Sequence, residues 1–348
     1  MTAESIAIVG PGRMGIGIAT AVLMANQGYT VTLIDTKKRK AGKETEALDR
    51  AREAVKANLD LLAGLEMLHG DAATLGAALV VSDALEPSIA GCAFVFEALP
   101  EKVAIKQDFY RAVGPLMDKD TVIASATSTF HLDVFWNECT RPGNVVSAHW
   151  LNPAFLIPLV EVSHGEKTHA WASAGMCDFL RSIGKIPVSM KTSPGFIVPR
   201  IQAAAMNEAI RILEDGVTTA QEIDTAIKAG FGFRLAVMGL IEFVDLGGVD
   251  ILFHAGEYLH HKLGADQFKP PRLVREKMAK AEIGPSTGKG FYDYKDVDIR
   301  KLFSEKYTGF AELLQLYERS KNLNFTGGIA VDTPPEINAT PAKRKESP

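Results

Sequence analysis

Two groups of residues carry types and spacings that chemistry requires. The first is Gly10-Pro11-Gly12-Arg13-Met14-Gly15, which follows the apolar run Ile6 to Val9 and ends twenty residues before Asp35. A glycine-rich hexapeptide alone is weak evidence; between a strand-like run and a helix rich in small residues it reads as a dinucleotide cradle. Gly10 permits a tight turn, Gly12 lets the backbone approach a pyrophosphate, and Gly15 lets the helix lie close to the sheet. The N–H groups of Arg13 and Met14 open that helix and receive phosphates. Asp35 is expected to accept hydrogen bonds from the ribose hydroxyls, which favours NAD over NADP because a 2′-phosphate would face a carboxylate. Lys37, Lys38 and Arg39 leave NADP open as an alternative to their reading as a solvated helix start. The second group is His149 in Ser147-Ala148-His149-Trp150-Leu151-Asn152-Pro153, with Glu161 in the apolar run that follows. A glutamate between apolar neighbours is costly to bury unpaired. Pairing with His149 removes that cost, fixes the ring tautomer and stabilises the imidazolium formed when the histidine takes a proton.

The elements that must position these residues follow from periodicity. Ile6 to Val9 reads as a buried parallel strand, residues 13–27 as a helix and Tyr29 to Ile34 as the next strand. Residues 37–68, with Leu48, Val55, Leu59 and Leu62 at helical spacing, are expected to form a helical pair. Strand-like runs recur at Leu79 to Val81, Ala93 to Glu97, Val122 to Ser125, Val145 to His149, Leu159 to Val162 and Ile186 to Ser189, with helices at 102–113 and 168–183. This alternation predicts an α/β fold with a Rossmann-type doubly wound sheet, whose ligand crevice opens at the carboxyl ends of the strands. From Thr192-Ser193-Pro194-Gly195 the periodicity turns helical, at 196–214, 219–229, 240–263, 271–280 and 309–320. We therefore expect an NAD-binding domain over 1–190, an all-helical substrate and dimerisation domain over 191–300, and a C-terminal extension over 301–348 that is disordered from about 333.

Composition bounds the partners. A chain of 348 residues, 47% of them hydrophobic, can bury a large core, and its length suggests two domains. A formal net charge of -4 predicts no general attraction to nucleic acid or anionic membrane. No apolar run reaches the roughly 20 residues that span a bilayer. The first strand begins almost at once, so no secretory or transit peptide is expected, and the ending Glu346-Ser347-Pro348 is no peroxisomal signal. Cys92, Cys139 and Cys177 are scattered without metal-like spacing and are expected as buried thiols of a cytoplasmic protein. No His spacing supports a metal site.

At this point the sequence strongly resembles the NAD-dependent 3-hydroxyacyl-CoA dehydrogenase family. The matching pieces are GPGRMG, FEALPEKVAIK (96–106), ASATS (124–128), HWLNP (149–153), PLVEV (158–162), SPGFIVPR (193–200) and GKGFYDY (288–294), in that order. The resemblance implies that His149 is the general base toward the substrate hydroxyl and Glu161 its orienting partner. It implies that Ser128 and Asn152 hydrogen-bond the reacting oxygen or hold the nicotinamide side, and that Glu101 and Lys106 lie near the nicotinamide. The implied reaction is oxidation of a short-chain (3S)-3-hydroxyacyl-CoA to the 3-oxoacyl-CoA, a step of fatty acid metabolism; a homodimer is expected because long apolar helices such as Phe196 to Leu213 need a partner face.

Three departures bear on substrate. Pro199 stands where the acyl-CoA enzymes carry an asparagine before Arg200, and Arg234 replaces part of their Pro-Met-Gly-Pro segment. Ser286 stands where the family often has a lysine. Arg234 resembles a feature of the gulonate and carnitine dehydrogenases, so a free hydroxy acid with Arg234 as carboxylate clamp is the alternative substrate class. Between Ala57 and Val103 the only cation is Lys102, so CoA phosphates would need cations such as Lys43 or Lys56. A third reading is a non-catalytic NAD-binding or structural protein.

Overall fold

The computed structural model describes residues 4–38, 40 and 45–319. The expected tail from 333, Arg39 and Lys43 lie outside them. The chain divides into two compact units, Met1–Met206 and Asn207–Pro348.

The first unit is built on eight strands: β1 (Ser5–Val9), β2 (Thr30–Ile34), β3 (Leu79–Ser82), β4 (Cys92–Glu97), β5 (Val122–Ser125), β6 (Val145–Trp150), β7 (Leu159–His164) and β8 (Ile186–Lys191). Their order is β3-β2-β1-β4-β5-β6-β7-β8, so the chain reverses its direction of growth at β1 and opens a crevice between β1 and β4. All neighbours are parallel except β6 and β7, which run antiparallel. Helices α1 (Arg13–Met24), α2 (Glu46–Gly64), α3 (Ala72–Ala77), α4 (Leu85–Ile89), α5 (Val103–Val113), α6 (Asp133–Trp136) and α7 (Ala170–Ser182) complete it. In place of the helical pair expected over 37–68, the described residues hold one helix, α2.

The sheet is covered on both faces, which is why its inner strands read as unbroken apolar runs. Ile18 and Val22 of α1, Leu59 of α2 and Phe179 and Leu180 of α7 share one core cluster. Phe109, Tyr110 and Val113 of α5 and Phe135 of α6 build the other. Each fully buried side chain of this size contributes roughly 1.5–3 kcal/mol. Strand β8 is an edge, where Pro187 can be tolerated and Ile186 stays exposed. Cys92, Cys139 and Cys177 are buried free thiols.

The second unit is helical. Helix α8 (Val198–Glu214) leads into it, followed by α9 (Ala220–Ala226), α10 (Phe233–Leu235), α11 (Leu240–Gly247), α12 (Val249–Leu263), α13 (Arg272–Ala279) and α14 (Ile299–Arg319). The single helix expected over 240–263 is broken by Gly248, whose φ of 101° lies outside helical space. The last helix begins at Ile299, earlier than its expected start at 309. A π-helical turn, Ile227–Gly232, links α9 to α10. The GKGFYDY segment is tied to α11 by buried Asp245, which accepts the N–H groups of Phe291 (2.9 Å) and Tyr292 (2.8 Å) and the Tyr294 hydroxyl (3.2 Å). Among the described residues no helix is long and apolar enough to cross a membrane.

Candidate active site

The glycine cradle forms at the carboxyl end of β1. Gly10 has φ of 112°, and a Cβ there would stand 2.4 Å from the Ala98 carbonyl oxygen. A Cβ on Gly15 would stand 2.0 Å from the Gly10 carbonyl oxygen, whereas Gly12 faces open space. The first N–H of α1 bonded within the helix is that of Ile16, to Gly12 at 2.9 Å. The N–H groups of Arg13, Met14 and Gly15 precede it, at the positive end of the helix dipole. Gly10, Gly12, Arg13, Met14, Asp35 and Leu99 help line a cavity of about 670 Å³. Buried Asp35 follows β2, and its Oδ1 accepts the Lys37 N–H at 3.1 Å. A glycine floor that excludes side chains, free helical donors and a carboxylate one strand away are the donor and acceptor set that NAD requires.

The antiparallel pairing of β6 and β7 makes His149 and Glu161 direct register partners. His149 Nδ1 donates to Glu161 Oε2 at 2.7 Å, which leaves Nε2 with its lone pair. Glu161 is 0% exposed, and its Oε1 accepts the N–H groups of Ile197 (2.8 Å) and Val198 (2.9 Å). Burial raises the Glu161 pKa, but the bonds from His149, Val198 and Ile197 outweigh it and hold the carboxyl below its ordinary value. Gly195 and Phe196 both adopt positive φ, 76° and 47°, and so bring those two donors onto the carboxylate. The turn also lays the Phe196 ring over the His149 imidazole, centroids 4.9 Å apart. A phenylalanine in left-handed space is uncommon, and here its ring is packed against the histidine.

A second buried network lies where β4 and β5 end. Lys106 of α5 reaches Glu97 Oε1 at 2.8 Å and Oε2 at 3.0 Å, and Glu101 at 3.2 Å. Glu97 also accepts the Ser125 hydroxyl at Oε2 (2.6 Å) and the Leu99 N–H at Oε1 (2.8 Å). Burial pushes the Glu97 carboxyl up, opposed by the Lys106 charge and these bonds. Thr127 donates to Glu101, and its oxygen accepts the N–H of Phe130 at 3.0 Å, which fixes the turn that presents exposed Ser128. Lys106 is almost wholly buried and Glu101 is the exposed member of the pair. Asn152 is exposed, three residues beyond His149.

Arg234 belongs to the second unit, where it is exposed and its guanidinium lies 5.4 Å from the Phe243 ring centroid. Lys289 is engaged by Glu282 at 3.1 Å, and Ser286 borders a pocket with Asp245 and Gly248. Among the described residues no group of three His, Cys, Asp or Glu side chains is placed to hold a metal ion. Reading the sequence did not single out Glu97, Ser125, Thr127 or Phe196. The signal for Glu97 was present: a carboxylate closing the apolar run Cys92 to Phe96, with Lys106 following.

Comparison with known proteins agrees with this geometry. Residues 5–193 match the model of the 3-hydroxyacyl-CoA dehydrogenase NAD binding domain, and residues 195–294 that of the 3-hydroxyacyl-CoA dehydrogenase C-terminal domain. The chain is 31% identical over 304 residues to 5-formyl-3-hydroxy-2-methylpyridine 4-carboxylate 5-dehydrogenase of Mesorhizobium japonicum, covering 87% of this chain and 94% of that one. It is 30% identical to a probable 3-hydroxybutyryl-CoA dehydrogenase of Deinococcus radiodurans, covering 82% of this chain and 99% of that one. The crystal structure of a 3-hydroxyacyl-CoA dehydrogenase from Archaeoglobus fulgidus superposes with a TM-score of 0.73 at 28% identity, over 91% of this chain and 100% of that one.

Proposed function

The chain belongs to the 3-hydroxyacyl-CoA dehydrogenase family as an NAD-dependent dehydrogenase, and from that premise we propose that it oxidises a short-chain (3S)-3-hydroxyacyl-CoA to the 3-oxoacyl-CoA. The observation that carries the reading is the buried His149–Glu161 pair at the crevice end of β6 and β7. His149 Nε2 takes the hydroxyl proton as the carbinol C–H bond breaks, and Glu161 stabilises the resulting imidazolium through Nδ1. NAD, when bound, supplies the hydride acceptor. Ser128 and Asn152 hydrogen-bond the reacting oxygen, and in the reverse direction they polarise the carbonyl while His149 returns the proton. Glu101, held by Lys106 and Thr127, borders the nicotinamide end of the cradle. The working form is a cytoplasmic homodimer.

A second reading keeps this mechanism and exchanges the thioester for a free carboxylate. It is favoured by Pro199 and Arg234, and by a 31% identical relative whose name places a carboxylate on its substrate. Arg234 is then the anion clamp.

NADH formation by the purified protein separates the two. The panel is (S)-3-hydroxybutyryl-CoA, free 3-hydroxybutyrate, gulonate, carnitine and a carboxylate-bearing aromatic aldehyde. The expected result is turnover of the thioester, abolished in His149→Gln. Turnover confined to a free acid replaces the CoA reading, and Arg234→Met then raises KM for that acid by about tenfold or more. Activity that survives His149→Gln overturns the catalytic assignment, and no turnover anywhere removes the substrates of the panel from the proposal.

A further inference from the structure

Lys185, the residue before β8, is a buried cation that the mechanism does not use. It is 7% exposed, and no described carboxylate lies within ion-pair distance of it. Burial pushes its pKa down to about 8, so the fold bears the cost of desolvating an ammonium without a counter-charge. An apolar side chain would fill the space more cheaply. What the ammonium obtains is specific: it donates to the carbonyl oxygens of Ala154 at 2.7 Å and Ile157 at 3.0 Å, and lies 5.8 Å from the centroid of the buried Trp150 ring. Three donors thus meet two carbonyls and one π face.

Both carbonyls belong to residues 151–158, the loop between β6 and β7. That loop begins beside His149, ends before Glu161 and carries Asn152. The adjoining Ile186 N–H donates to Pro158 at 2.8 Å. On its other side Ala154 is buried against α1, where a Cβ on Gly17 would come within 3.0 Å of the Ala154 Cβ. The loop is therefore fastened to the edge of the sheet and to the helix of the dinucleotide cradle at once.

Resting on the role proposed above for Asn152, we infer that Lys185 is a positioning residue, whose two hydrogen bonds to the 151–158 loop hold Asn152 at the reacting oxygen. Lysine serves this end because its flexible stem brings several donors to carbonyls three residues apart, and charged donors bind carbonyls more strongly than neutral ones.

The test is a series, Lys185→Arg, Lys185→Gln and Lys185→Met, read by hydrogen exchange of the 154–157 amides and by kcat on whichever panel substrate is turned over. Protection of the loop and kcat are expected to fall together, about tenfold or more in Lys185→Met, while the dissociation constant for NADH stays within about twofold. In the Asn152→Ala background Lys185→Met is expected to add less than about threefold. A folded variant that loses loop protection and keeps kcat overturns the inference, as does unchanged protection in Lys185→Met or a fully multiplicative loss in the double variant. Exchange needs no substrate, so unchanged protection overturns the inference even if the panel is inert, and Lys185→Gln supplies the comparison if Lys185→Met fails to fold. Full kcat in Asn152→Ala would instead refute the role of Asn152, and with it the purpose assigned to Lys185.

Discussion

A carboxylate buried beside a histidine can act in two ways, as a structural partner or as the group that makes the histidine a base. For Glu161 the hydrogen-bond inventory decides. Its Oε1 accepts from Ile197 and Val198 and its Oε2 from His149, so all three partners are donors and the ionised form is the one the site is built around. Glu161→Gln keeps the shape and removes the charge that stabilises the imidazolium; kcat is expected to fall by roughly 10² or more, with NADH affinity unchanged. The same group makes a pH statement. Its pKa is lowered in the fold, so its stabilisation is fully present above the unfolded value of about 4.3 and is lost as pH falls through the folded value. In urea titrations the advantage of the wild type over Glu161→Gln should therefore shrink below about pH 4, and a constant difference across that range would count against the ionised assignment.

At the scale of elements, the site depends on backbone that side chains cannot enter. Gly10→Ala places a Cβ against the Ala98 carbonyl at a φ of 112°, so β1 and the turn after β4 must separate. NADH binding, followed by its fluorescence, is expected to weaken at least tenfold. Gly28→Ala is the control. It has φ of 77° but nothing within 4 Å, so it should cost about 1–2 kcal/mol of stability and leave binding intact. Equal losses of binding in both variants would show that general destabilisation, not the cradle, is being read. The glycine spacing, the strand before it and Asp35 after β2 were all legible in the sequence, because local turn chemistry and a period of two or 3.6 are written in neighbouring residues. The break at Gly248 was passed over although the Gly247-Gly248 pair signals it, because apolar periodicity continues across it from Leu240 to Leu263.

For the whole molecule the question is what covers α8, the helix in which the chain passes from the first unit to the second. Helix α8 has no buried side chain, and Ile201, Met206 and Ile210 are 43%, 62% and 54% exposed. A stripe of that kind on a long amphipathic helix calls for a partner face, and a second copy is the partner expected. Light scattering should give twice the 37.6 kDa chain mass, reduced to the single mass in Met206→Asp with Ile210→Asp. A wild-type monomer at micromolar concentration would remove the dimer from the proposal.

The sequence by itself determined the class of fold, the cradle and the His149–Glu161 pair, because each is announced by residue type and short spacing. Only the tertiary structure decided how that pair is served. The antiparallel turn of β7 sets the two residues in register, and Phe196 lies on the imidazole. Lys106 is gripped by Glu97 and Glu101, and Lys185 by the Ala154 and Ile157 carbonyls. These contacts join residues whose partners lie on other elements, or are backbone atoms with no identity in the sequence. Their energies depend on burial, which no local pattern records.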